Sequence, residues 1–125
     1  MWPTLNSRAR RRTRDAARRA AEDLRFIAEL TAVIGWLFPG CPEDRAARIA
    51  SHASVRGSGR VGRTAAGRSL EEGAVTAAVR ASVRHLDTAY DVLLMAGVAR
   101  HQARACVAPE IDAVLASWQR PVGPA

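Results

Sequence analysis

Leu24-Arg25-Phe26-Ile27-Ala28-Glu29-Leu30-Thr31-Ala32-Val33-Ile34-Gly35-Trp36-Leu37 is the stretch of this chain that decides its fold. Leu24, Ile27, Leu30, Ile34 and Leu37 recur at three- and four-residue spacing, which puts them on one side of an α-helix and predicts a buried face. Upstream, Arg8 to Ala21 is nearly all Arg and Ala, strong helix formers without an apolar stripe. One long helix is therefore expected, starting near Ser7 or Thr13, with an arginine-studded arm leading into a packed second half. Met1 to Ser7, which contains Pro3 and has no periodicity, is expected to fray.

Downstream, Phe38-Pro39-Gly40-Cys41-Pro42 ends that helix, and Pro42 followed by Glu43 and Asp44 suits the first turn of a second, running to about Val55. Ala46, Ile49 and Ala53 would face inward there, with His52 half-buried. Ser69-Leu70-Glu71-Glu72 reads as a capping box opening a third helix with Val75, Val79, Val83 and Leu86 on one face. Asp87 or Thr88 would cap a fourth from Ala89 to Ala96, with Leu93 and Leu94 inward and Gly97 as its stop. A fifth, from Ala99 to Trp118, contains Pro109 and keeps Val107, Ile111, Val114, Leu115 and Trp118 on one face, so a single bent helix is expected. No period-two segment is long enough for a strand pair. The expected fold is all-α: a compact bundle of about five helices with an Arg/Gly-rich loop between helices two and three and a basic N-terminal helical arm. Residues 1–23 would form the arm, 24–119 a single domain and 120–125 a flexible tail.

The 125 residues suffice for one domain with a real core, so neither a metal nor a disulfide staple is required. Cys41 and Cys106 are too few and too far apart for a zinc motif or a secreted disulfide framework, and reduced, partly buried thiols are expected. Cys41 also precedes a helix start, a position that can lower a thiol pKa. The most apolar run, Phe26 to Phe38, is thirteen residues and includes Glu29, short of the roughly 20 that a membrane span needs. The first fourteen residues are Arg-rich and lack acids, as a transit peptide would, but a cytoplasmic location is the simpler expectation. Alanine-rich helices of this kind are expected to pack closely.

All nineteen basic residues are arginine, which a GC-rich genome also produces; the placement of charge is more telling. Residues 1–25 carry +5 and residues 56–68 carry +4, while 26–55 and 69–125 carry −1 each, which totals +7. The second basic segment reads Arg56-Gly57-Ser58-Gly59-Arg60-Val61-Gly62-Arg63-Thr64-Ala65-Ala66-Gly67-Arg68, without an acidic residue. Glycines let backbone approach a ligand closely, and each guanidinium can fork onto phosphate oxygens, so Arg56, Arg60, Arg63 and Arg68 are candidate contacts to nucleic acid. Arg10, Arg11, Arg12 and Arg14 on the arm are candidates for the same role; insertion into a membrane is not expected, because that half-helix has no apolar face to bury. The lysine and hydroxyl of a Walker loop are missing.

His85, Asp87, Thr88, Tyr90 and Asp91 form the one polar cluster that resembles a site. An imidazole with nearby carboxylates can bind a metal or act as a general base, so His85 and Asp91 are the catalytic candidates of a small metal-dependent hydrolase. The competing reading is structural: Asp87 and Thr88 as caps, Tyr90 packed, and Asp91 paired with Arg84 or an arginine of helix five. No residue set defines a reaction, and no cofactor or metal is expected. Low-selectivity binding to a nucleic-acid backbone leads, with an interaction module for an acidic protein partner as the alternative.

Phe38-Pro39, Gly59-Arg60-Val61-Gly62-Arg63, Arg84-His85-x-x-Thr88-x-Tyr90-Asp91-x-Leu93-Leu94, Arg100-x-x-Ala103-Arg104-x-x-Val107 and Val114-Leu115-x-x-Trp118 together form a pattern over roughly residues 36–119. In it the chain resembles the DUF2293 domain of bacterial and fungal proteins, with Arg84 to Leu94 as the most specific part. The resemblance implies one compact domain that excludes the arm, and it carries over no activity.

Overall fold

A computed structural model of the chain describes residues 3–55 and 70–120, with side chains from Asn6 onward. Five helices and no strand occur among the described residues: α1 (Pro3–Leu37), α2 (Glu43–Ala53), α3 (Glu72–Leu86), α4 (Tyr90–Met95) and α5 (Arg100–Gln119). The all-α expectation holds. The loop arginines Arg56, Arg60, Arg63 and Arg68, together with Ser69 and residues 121–125, lie outside the described residues.

α1 starts earlier than its sequence suggests, on Pro3, whose fixed φ and missing N–H suit a first helical position. Thr13 does not cap it: its hydroxyl donates to the Ala9 carbonyl at 3.0 Å within the helix. At about 1.5 Å per residue α1 is roughly 50 Å long. Its core-facing stripe is shorter than the apolar spacing implies. Leu30 and Ile34 are buried and Phe26, Ile27 and Leu37 pack partly against the core, but Leu24 is 69% exposed. After Phe38, itself buried, Pro39-Gly40 reverses the chain. Gly40 N–H donates to the Trp118 carbonyl at 2.7 Å, and a Cβ on Gly40 would lie 3.0 Å from the Ser117 oxygen. Only glycine lets the two backbones come so near.

α2 buries Ala46, Ile49, Ala50 and Ala53, and leaves His52 exposed rather than half-buried. The capping box does not set the start of α3. Glu71 is its N-cap residue, without a side-chain cap bond, and Leu70 immediately before it turns the chain at φ 58°. Val75, Val79 and Val83 then form the buried face, whereas Leu86, the next residue in that series, is 56% exposed. α4 ends in a Schellman motif: Val98 N–H donates to the Leu93 carbonyl and Gly97 N–H to the Leu94 carbonyl, both at 3.0 Å, with Gly97 at φ 90°. α5 is continuous through Pro109, as expected. Proline leaves the Ala105 carbonyl without its helical donor, and both residues are exposed, where water can serve it. Ala103, Val107, Ile111 and Leu115 complete the core from α5.

α1 packs on α2 and α3, α3 on α2, α4 and α5, and α4 on α5, so α3 is central. Two glycines test this arrangement. Gly40→Ala is expected to lower stability in urea denaturation by about 1 to 3 kcal/mol through overpacking against α5. Gly35→Ala, in α1 with nothing within 4 Å of the added Cβ, is expected to raise it by about 0.5 to 1 kcal/mol. Equal effects would contradict the close approach at Gly40.

Candidate functional site

The α3–α4 junction gathers the polar cluster but divides it in two. The Thr88 hydroxyl donates to the Arg84 carbonyl and accepts the Tyr90 N–H at 3.2 Å, closing the turn between the helices. Asp91, in the first turn of α4, thereby meets His85 in the last turn of α3, with Nδ1 and Oδ1 2.7 Å apart. The His85 ring lies edge-on to Tyr90 at 5.5 Å between centroids, and the Arg84 guanidinium stacks over the other ring at 5.7 Å. Asp91 is therefore a partner of His85, not of Arg84 or an α5 arginine as its sequence context suggests. Arg84 is turned to the Tyr90 face, and α5 offers no arginine that reaches Asp91 among the described contacts. The side chains of His85 and Asp91 are 51% and 54% exposed, so their pairing adds little stability. No group of three His, Cys, Asp or Glu able to hold a metal ion occurs among the described residues.

Asp87 belongs to a different unit. It is the C-cap residue of α3, and its carboxylate takes a fork from Arg45 of α2, with Nη1 to Oδ1 at 3.2 Å and Nη2 to Oδ2 at 2.5 Å. Arg45 also donates to Ser82 Oγ at 3.4 Å and lies 5.2 Å over the Trp118 ring. Nothing in the sequence marks Arg45: an arginine inside a short polar helix reads as solvated, and its partner is 42 residues away.

α2 and α3 touch along part of their length. Between them lies a cleft of about 640 Å³, walled by Ile49, Ala53, Ala78, Ala81 and Leu86, with Arg48, His52, Ser82, His85 and Asp91 among its polar lining. His85 and Asp91 thus open onto a cavity, a setting that their sequence spacing does not reveal.

The arm candidates sit together on one helix. Residues 6–25 of α1 are exposed apart from Asp15 and Asp23, which are half-buried. Arg18 pairs with Asp15 at 3.4 Å and approaches Glu22 at 3.9 Å. No ion pair to Arg8, Arg10, Arg11, Arg12 or Arg14 occurs among the described residues. At about 100° per residue, Arg8, Arg12 and Arg19 form one row, and Arg11, Arg14, Arg18 and Arg25 a second about 110° away. Ala9, Ala16 and Ala20 instead continue the line of Ile27, Leu30 and Ile34.

A small helical domain with a long basic helix projecting from it is the class these features define. Residues 33–119 match the model of DUF2293, an uncharacterised conserved protein family, and the chain belongs to that family. The match begins inside α1 and leaves the arm outside. No curated protein and no solved structure matches the chain.

The two thiols lie in different settings. Cys41 is buried, its Sγ 3.6 Å from the Pro42 carbonyl, and burial pushes its pKa up against the opposing pull of Arg45. Whatever the helix start at Pro42 contributes, burial outweighs it. Cys106 is exposed on α5. Ellman's reagent at pH 8 is expected to titrate Cys106 within minutes and Cys41 only on unfolding, because the raised pKa keeps Cys41 protonated and its burial denies access. Two equally fast thiols would contradict the buried position.

Proposed function

We propose that this protein binds nucleic acid through its phosphate backbone, with the α1 arm as the principal contact. The observation that supports this is the run of Arg8, Arg10, Arg11, Arg12 and Arg14 on an exposed, continuous helix. Five guanidinium groups held within two turns, with no ion pair among the described residues, repel one another unless counterions or a polyanion neutralise them. A duplex supplies that charge. Its major groove, about 12 Å wide, admits an α-helix. The two rows of arginine, about 110° apart on the helix, would then meet the two phosphate walls of the groove. The loop arginines Arg56, Arg60, Arg63 and Arg68 would add a second set of phosphate contacts. Such contacts fix position without reading bases, so selectivity is low.

Membrane insertion has no support: no described helix is long and apolar enough to cross a bilayer. The reading goes with a cytoplasmic protein. Folded helices position the arm, and no proton transfer or bond cleavage is required of His85 or Asp91.

Fluorescence anisotropy with a duplex oligonucleotide, titrated at several salt concentrations, tests the proposal. For the quadruple variant R10Q/R11Q/R12Q/R14Q the slope of log affinity against log salt is expected to become shallower by about 3.6, with helicity retained by circular dichroism. The corresponding variant of Arg56, Arg60, Arg63 and Arg68 is expected to act in the same direction. An unchanged slope in the arm variant would remove the arm from the interface. Equal binding to polyglutamate would instead favour an acidic protein partner.

A further inference from the structure

We propose that the cleft between α2 and α3 is a binding site for a small amphiphile, an apolar acyl or ring body bearing one anionic head group, carboxylate or phosphate. This site is separate from the arm and stands independently of the nucleic-acid reading. A cleft of about 640 Å³ opens there between Ile49, Ala53, Ala78, Ala81 and Leu86, of which Ala81 and Leu86 offer the accessible apolar surface. Its size falls within the roughly 300 to 1,000 Å³ of small-molecule sites, and its character matches theirs: mostly apolar, with a few fixed polar groups.

Those polar groups specify the head group. Arg48, exposed at the rim, has no ion pair among the described residues, whereas the one carboxylate of the rim, Asp91, is already engaged by His85 at 2.7 Å. Asp91 holds Nδ1 of that imidazole, whose ring stands edge-on to Tyr90. The Arg48 guanidinium beside an apolar trough suits an anionic oxygen at one end and hydrocarbon along the rest. Arg45, bonded to Ser82 and Asp87, spans α2 and α3 beside it.

Octanoate is the probe, followed by amide chemical shifts and calorimetry on the full chain, with 1-octanol as the uncharged control. Shifts are expected to cluster at Ile49, Ala53, Ala78, Ala81 and Leu86. Octanol is expected to bind at least tenfold more weakly, and Arg48→Gln to weaken octanoate at least tenfold. Ala81→Leu, at a partly buried position, is expected to fill the trough and abolish binding while thermal unfolding stays cooperative. Octyl phosphate in place of octanoate distinguishes the two head groups by relative affinity. The proposal is overturned if octanoate does not bind, if its shifts map to the exposed Val92 and Met95 surface, or if Arg48→Gln binds as the parent does. Self-association through this cleft that Ala81→Leu disrupts, without octanoate binding, would overturn it equally.

Discussion

The guanidinium of Arg45 is the contact on which the arrangement of this domain depends. It forks onto Asp87, reaches Ser82 and covers Trp118, so one side chain of α2 ties together α3, the α3–α4 turn and the end of α5. With side chains 16% and 29% exposed, Arg45 and Asp87 are shielded enough for a bidentate ion pair to matter and open enough to avoid the full cost of burying charge. Beside it, Gly40 brings the α1–α2 turn onto the Trp118 carbonyl, so the same corner of the bundle is held by backbone as well as side chain. The pair also joins α2 to the end of α3 beside the cleft.

Away from that corner the molecule changes character. α1 belongs to the buried core only from about Phe26 onward; its residues 6–14 are exposed and are held by the propensity of Ala and Arg. Such a helix has little tertiary packing to protect it, and its free energy of opening is correspondingly small. A polyanion that neutralised the arginines would stabilise the same helix it binds. On the proposed function, the core supplies a fixed mount and the arm a charged surface.

Much of the fold is legible in the sequence because burial imposes a period. Val75, Val79 and Val83, and Val107, Ile111 and Leu115, are spaced as a packed face requires, and each is buried. Gly97 announces the end of α4 because only that residue type takes positive φ without strain. Period alone does not say where a face stops being covered, which is why Leu24 and Leu86 continue their stripes into solvent. The pairing of Arg45 with Asp87 is set by tertiary approach and has no local signature. The cleft was illegible for a related reason: alanine at Ala53, Ala78 and Ala81 permits close packing as readily as it permits a gap, and only the spacing imposed elsewhere decides between them.

The central claim, a fixed helical mount presenting a helix that takes hold of a polyanion, is tested most directly by hydrogen exchange read by mass spectrometry with and without a duplex. The account predicts fast exchange across residues 6–14 in the free protein, slow exchange across the buried faces of α3 and α5, and strong slowing in the arm when duplex is added. Slowing confined to the bundle, with the arm exchanging as fast as before, would contradict it.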